Sequence, residues 1–168
     1  MRTISARISI DAPRETVHAF LCDLANRPAI IDHFADEFRL ERVESSGVCA
    51  AALFRVRRPR LWMETVIEEV EPPFRISERG RAGRLGRIPT ATVWELIESA
   101  APGTCEATVT FWIEATHPVD RMREMLGAER RHRRNWTRAL TRLRDVIENG
   151  RPVQRVQVAG ADRLPIVA

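Results

Sequence analysis

The chain has 168 residues, which favours a single domain, and a domain of this size buries roughly 70% of its unfolded surface without help from disulfides or metals. A hydrophobic fraction of 44% beside 30% charged residues excludes global disorder, and no apolar run approaches the roughly 20 residues of a membrane-spanning helix. The net charge is +4, and all 27 basic residues are arginine. The absence of lysine excludes Schiff-base chemistry, and the absence of tyrosine excludes a phenolic acid.

The N-terminal region and the cysteines point to the cytoplasm. The first residues form no long apolar stretch and offer no small-residue cleavage site, so we expect no secretory signal. Cys22, Cys49 and Cys105 are odd in number and far apart. This spacing excludes a CxxC motif and favours free thiols in a reducing compartment.

The N-terminal half begins with a strand and two short helices. Thr3–Ile10 alternates between apolar and polar residues, as a strand with one buried face does. Asp11 and Pro13 then start a helix, and a break at 26–28 separates it from a second. Six strands follow, joined by short turns, so we expect an antiparallel meander. Their predicted ranges are Phe38–Glu44, Val48–Arg57, Leu61–Glu71, Phe74–Gly80, Ile88–Glu98 and Cys105–Thr116.

The C-terminal part is predicted to be one long helix over Pro118–Glu148, stopped by Asn149 and Gly150. Its length is about 45 Å, enough to cross the sheet. Its apolar residues recur at spacings of three and four. The predicted stripe consists of Met122, Leu126, Trp136, Leu140, Leu143 and Ile147, widened by Met125 and Ala139.

Two charged residues, Glu129 and Arg133, interrupt this stripe one helical turn apart. Burying an ion pair in a dry core costs several kcal/mol per ion before the mutual attraction offsets the cost. Either this part of the helix is exposed, or it faces a wet cavity.

The order of elements resembles the helix-grip fold of the START/Bet v 1-like (SRPBCC) superfamily, in its polyketide cyclase/dehydrase-like branch. The segment ISIDAPRETVHAFLCDLANRP is similar to that superfamily's first strand and helix pair, and RLRDVIENG is similar to the end of its last helix. The resemblance covers residues 1–149 and implies an α+β fold, with a curved seven-stranded antiparallel sheet around the long C-terminal helix. It also implies an apolar cavity between sheet and helix. Residues 150–168 would form a C-terminal tail with no assigned role.

The resemblance places the candidate site in that cavity. Arg133 would hold a carboxylate, enolate or phenolate, and Glu129 would fix the arginine or act as a base, which makes Glu129 the candidate catalytic group. The alternative is an exposed salt bridge worth roughly 0.3–0.5 kcal/mol. Among the four tryptophans, Trp136 is the best candidate to line the pocket because it lies on the helix stripe beside Arg133, although core packing is the more common explanation for such residues. The further candidate ligand-binding residues are Phe54, Trp94, Val109, Phe111, Ile113, Met122, Met125 and Leu126.

Other chemistries find little support in the sequence. The four histidines show no HxH or HxxxH spacing, so we expect no metal and no cofactor. His33 is interpreted as a solvated surface residue rather than an acid/base group. The arginine clusters permit an acidic partner, but acidic residues are interspersed and no nucleic-acid-binding motif is present, so nucleic acid is not expected.

The expected function is binding of a small hydrophobic or amphipathic molecule, lipid- or polyketide-like, by a monomer or homodimer. The alternative is a polyketide cyclase or dehydratase that uses the same cavity. A third hypothesis is an interaction protein with a basic surface. The small number of proton-transferring groups favours binding, and whether the chain is an enzyme stays open.

Overall fold

The structure is a computed structural model that describes residues 2–114, 117, 128–150 and 157–158. Strand β1 (Arg2–Ile10) leads into helix α1 (Arg14–Cys22), a 3₁₀ turn (Leu24–Asn26) and helix α2 (Arg27–Ile31). The 3₁₀ turn begins where the Asp23 carboxylate accepts a hydrogen bond from the backbone N–H of Ala25 at 2.9 Å. The predicted pair of short helices after the first strand is confirmed.

Seven strands form the antiparallel sheet that the sequence predicts. After β1 they are β2 (Ala35–Leu40), β3 (Ala51–Val56), β4 (Leu61–Glu71), β5 (Arg75–Ala82), β6 (Ile88–Glu98) and β7 (Cys105–Ile113). Their order across the sheet is β1-β7-β6-β5-β4-β3-β2. A two-residue strand β8 (Gln157–Val158), which the sequence did not predict, extends the sheet by pairing in parallel with β2.

The bounds of β2 and β3 differ from the predicted ones. β2 begins three residues earlier than expected, and β3 begins at Ala51 rather than Val48, whose side chain is 56% exposed. For β3 the cause is local backbone geometry, because Gly47 and Cys49, just before the strand, have φ values of 76° and 72°. Residues in this left-handed region interrupt the regular extended backbone, and alternation of apolar residues does not reveal them.

Helix α3 (Ala128–Asn149) packs against β1, α2 and β7. It ends as predicted, because the Gly150 N–H donates to the Val146 carbonyl at 2.9 Å while Gly150 adopts a φ of 65°. The predicted first turns of this helix, residues 118–127, lie outside the described residues. No helix in the described part of the chain is long and apolar enough to cross a membrane.

The core lies between α3 and the inner face of the sheet. Every second side chain of β7, from Cys105 to Ile113, is buried, and Trp112 lies on the opposite face and is only partly buried. The inner face of β5 departs from this apolar pattern, because a glutamate, Glu78, follows Ile76 on the buried side. Glu78 therefore places a carboxylate among the apolar side chains of the interior.

Candidate functional site

A buried polar cluster surrounds Glu78 on the inner face of the sheet. Arg27 Nη2 donates to Glu78 Oε1 at 2.5 Å, and Trp94 Nε1 donates to the same oxygen at 2.8 Å. Thr65 Oγ1 donates to Glu78 Oε2 at 2.9 Å. Arg27 is only 4% exposed and Glu78 only 5%. Both oxygens of the carboxylate are therefore engaged, and the pair is shielded from bulk water.

Three adjacent strands and one short helix hold these groups in place. Glu78 in β5 lies opposite Ile67 of β4 and Thr92 of β6. Arg27 is the first residue of α2, and the following Pro28 suits the first turn of a helix because proline lacks a backbone N–H. The guanidinium carbon of Arg27 lies 5.0 Å from the centre of the Trp94 ring, so the ring face also contacts the cation.

The guanidinium is incompletely satisfied. Arg27 Nη1 is buried and lacks a hydrogen-bond partner among the described residues. A buried donor without an acceptor costs roughly 1–3 kcal/mol, and more when it carries charge. This guanidinium therefore leaves a buried polar donor in the interior that a further acceptor could use.

Aromatic rings cover the cluster from the side of α3. The Trp136 ring lies 5.7 Å from Trp94, 5.9 Å from Phe34 and 5.4 Å from Phe111, measured between ring centres. A small cavity remains beneath them, with a volume of about 10 Å³, which is close to the space of a single water molecule. Its lining consists of Arg27, Ile31, Phe34, Phe54, Met63, Thr65, Glu78, Thr92 and Trp136.

The structure brings part of the predicted site together here. Phe54 and Trp136 line the cavity, and Trp94 contacts both Trp136 and Glu78. The other predicted sheet residues, Val109, Phe111 and Ile113, are buried in the surrounding core. Met122, Met125 and Leu126 lie outside the described residues. The ligand-binding role of these residues stays a prediction.

Glu129 and Arg133 lie elsewhere. Their side chains are 54% and 61% exposed, and Arg133 Nη2 lies 3.3 Å from Glu129 Oε1. The pair thus matches the exposed salt-bridge alternative and does not line the cavity. The physical reason is the position of the buried face of α3. Among the described residues this face contains Ala128 and Trp136, and Glu129 and Arg133 lie outside it, on the exposed side of the helix. Any role of the pair in ligand binding stays a prediction.

The sequence interpretation missed Arg27, Thr65 and Glu78. Glu78 left a signal, because it occupies the same parity as Ile76 and Ala82 in a strand with one buried face. Arg27 left none, since it lies at the break between two helices. Only the fold brings it to β5, 51 residues further along the chain.

The described part of the chain contains no cluster of metal-ligating residues and no activated thiol. No group of three or more histidine, cysteine, aspartate or glutamate residues there could hold a metal ion. Cys22, Cys49 and Cys105 are free thiols. Burial raises the pKa of the Cys105 thiol, with a smaller contribution from Glu15, which makes this thiol a poor nucleophile.

A curved antiparallel sheet around one long helix, with two short helices after β1, defines a helix-grip protein. The profile of the family described as polyketide cyclase / dehydrase and lipid transport matches residues 1–148. The chain belongs to this family, so the resemblance inferred from the sequence is confirmed. Comparison with the curated proteins found no match.

Solved structures share the fold at low sequence identity. The KanY protein is 15% identical with a TM-score of 0.69, and the alignment covers 88% of this chain and 98% of that one. TTHA0849 from Thermus thermophilus is 15% identical with a TM-score of 0.67, covering 90% and 100%. DynU16, from the dynemicin biosynthetic locus, is 16% identical with a TM-score of 0.60, covering 93% of this chain and 50% of that one. These likenesses support the fold alone.

Proposed function

We propose that this chain binds a small apolar or amphipathic molecule, lipid- or polyketide-like, between α3 and the inner face of the sheet. The observation that carries the proposal is the buried Arg27 Nη1, which lacks a hydrogen-bond partner among the described residues and belongs to a residue that lines the cavity. A carbonyl or similar acceptor on the ligand would satisfy this donor and recover the cost of burying it. The family's description, which includes lipid transport, supports the same class of function.

The surroundings of Arg27 suit such a ligand. Phe54, Met63 and Trp136 supply apolar contact area, and Arg27 would fix the orientation of the ligand. Apolar walls with a few polar groups are the usual composition of a small-molecule site. Trp94, Val109, Phe111 and Ile113 would form the floor beneath the ligand, and we retain them as proposed binding residues.

The volume of the cavity sets a condition on binding. Sites for small molecules usually measure roughly 300–1,000 Å³, whereas this cavity measures about 10 Å³. A ligand must therefore displace side chains that now meet, above all Trp136 and Phe34. Met63 can follow such a change, because its unbranched side chain adapts to irregular spaces.

The enzymatic alternative draws on the family's description, which includes cyclases and dehydrases. It needs a proton-transferring group in the cavity, and the described lining carries one carboxylate, Glu78. Arg27, Trp94 and Thr65 already donate three hydrogen bonds to that carboxylate. A group held in this way positions Arg27 rather than exchanging protons, so the arrangement favours binding over catalysis.

Titration with Nile red, a neutral apolar dye with a carbonyl oxygen, tests the proposal. The double variant Arg27→Met/Glu78→Gln removes both buried charges and leaves no unpaired ion behind. We expect the affinity for Nile red to fall by about tenfold, because a hydrogen bond from a charged donor is lost. The measurement is the rise of dye fluorescence with protein concentration.

A matched variant controls for loss of an ion pair as such. Arg7 and Glu106 form an ion pair at 3.7 Å with exposed side chains, so Arg7→Met/Glu106→Gln should bind Nile red as the parent chain does. A folded Arg27→Met/Glu78→Gln protein with parental affinity would contradict the anchoring role of Arg27. Absence of dye binding, together with no retained lipid-like mass in native mass spectrometry, would contradict ligand binding altogether.

A further inference from the structure

A second concave site, which we name the arginine cleft, lies between α3 and the β3–β4 turn. Its volume is about 540 Å³, well within the range of small-molecule sites. It is separate from the polar cluster around Glu78, although Phe34 belongs to the walls of both. The cleft is lined by His33, Phe34, Arg57, Arg58, Arg130, Arg131, Arg134, Asn135 and Arg138.

The positive charge of this cleft is largely uncompensated. Arg57 Nε lies 3.5 Å from Asp36 Oδ2. Within the described ranges, the other five arginines have no carboxylate within ion-pair distance: Arg58, Arg130, Arg131, Arg134 and Arg138. Like charges held together repel one another and destabilise the fold. A bound anion would relieve that repulsion.

The arginines are arranged as a row facing a second bank. Arg130, Arg134 and Arg138 follow one another at intervals of four residues, which places them along one face of α3 over about 12 Å. The second bank is the β3–β4 turn, with Arg57 and Arg58. Such an arrangement suits several linked anionic groups better than a single carboxylate.

Arg131, which also lines the cleft, adds a donor. Its Nε is buried and has no hydrogen-bond partner among the described residues. Guanidinium groups bind phosphate oxygens through paired N–H donors of matching geometry. The cleft therefore combines charge, concavity and an unused buried donor.

The neighbouring groove limits the length of the anion. This groove carries Asp32, Asp36 and Glu37 and shares His33, Arg57 and Arg138 with the cleft. Asp32 is paired with Arg142, and Asp36 and Glu37 are paired with Arg55. The excess positive charge of the cleft therefore does not continue into this groove, and an extended nucleic acid strand leaving on this side would gain little attraction there. A compact polyanion fits the cleft without reaching this groove.

We propose that the arginine cleft binds a small molecule that carries two or three linked phosphate groups. Isothermal titration calorimetry of the full chain with sodium tripolyphosphate tests this at an ionic strength of about 0.15 M, where the Debye length is about 8 Å. We expect one binding event per chain. In the double variant Arg130→Gln/Arg134→Gln the affinity should fall by about tenfold or more, because two charged donors are lost.

A second double variant separates the cleft from general charge effects. Arg81→Gln/Arg144→Gln removes the same charge from two residues that do not line the cleft, and its affinity should stay within about twofold of the parent's, because charges beyond the Debye length are screened. Equal weakening in both double variants, or no binding of tripolyphosphate at all, would overturn the proposal. So would displacement of tripolyphosphate by a single-stranded oligonucleotide at lower concentration, since that identifies a nucleic acid surface. The Arg27→Met/Glu78→Gln protein should retain tripolyphosphate binding, which keeps this site distinct from the interior one.

Discussion

Glu78 illustrates how one side chain can organise an interior. Its carboxylate accepts hydrogen bonds from a helix residue, Arg27, and from residues of both neighbouring strands, Thr65 and Trp94. Removing charged groups from water is expensive, and the cost is recovered only when such partners are in place. The cluster therefore ties α2 to the sheet at a defined position.

Loss of one hydrogen-bond donor to Glu78 should lower the free energy of unfolding by a measurable amount. Thr65→Val keeps the shape of the side chain but removes the donor to Glu78 Oε2, so the free energy of unfolding should fall by about 1–3 kcal/mol. Urea denaturation followed by circular dichroism measures the change. Thr108→Val on the outer face of β7 is the control and should change stability by less than about 0.5 kcal/mol. Equal effects of both substitutions would refute the special role of the cluster.

The sequence could predict only part of this site. Apolar residues on strands, such as Phe54 and Trp94, follow from the two-residue period, because one face of the sheet must be buried. The contact between Arg27 and Glu78 depends on how α2 crosses the sheet, and no local pattern encodes that crossing. Periodicity therefore predicted the apolar walls of the interior and missed its polar anchor.

Among the elements, α3 shows how packing decides between two interpretations of an interrupted apolar stripe. Spacings of three and four allow two courses through the first turns, one through Glu129 and one through Ala128. The sequence left open whether the charged pair is exposed or faces a wet cavity. In the structure, packing against β1 and α2 buries Ala128 and leaves Arg133 in solvent.

Strand β5 depends on a glycine two residues beyond Glu78. A Cβ atom at Gly80 would lie 2.2 Å from the Glu64 carbonyl oxygen and 2.7 Å from Thr90 Oγ1. Gly80→Ala should therefore force β4 and β5 apart and lower the free energy of unfolding by about 1–3 kcal/mol. Thermal and urea unfolding measure the loss. The nearer of the two atoms, the Glu64 carbonyl oxygen, belongs to the backbone. Adding Thr90→Ala should therefore restore only part of the lost stability, and full restoration would contradict this explanation.

At the scale of the whole molecule, the fold was predictable from element order. Short turns between strands such as β6 and β7 require antiparallel neighbours, and a helix of sufficient length covers their apolar face. The eighth strand, Gln157–Val158, was not predictable, because two residues carry no periodic signal. Cytoplasmic location, oligomeric state and the domain boundary at residue 149 stay predictions.

The stability of the whole chain should depend on two histidines whose pKa values burial shifts. Burial lowers the pKa of His18, partly offset by a hydrogen bond with the Arg75 backbone. Burial also lowers the pKa of His33, and the charges of Arg142 and Arg138 lower it further. A hydrogen bond with the Asn135 backbone and the charge of Asp32 raise it and offset part of this effect. The unfolded chain takes up these protons at a higher pH than the folded chain does. The contribution of the two histidines to the free energy of unfolding is therefore fully present above about pH 6.5 and is lost as the pH falls.

Urea unfolding at several pH values between about 5 and 8 measures this dependence. The free energy of unfolding should fall with decreasing pH below about 6.5, and His18→Gln/His33→Gln should flatten the curve. A parent chain whose stability rises on acidification would contradict the lowered pKa values.

The pairing of the first strand with the last long one has a consequence for how the chain acquires its fold. β1 has β7 as its neighbour, so Ile10 meets Cys105 and Ile4 meets Phe111 only after most of the chain has been made. Contacts so distant in sequence slow folding, because a long loop must close before they form. During synthesis on the ribosome the N-terminal strand has no partner strand until residues 105–113 have emerged, and β1 can join the sheet only after that step.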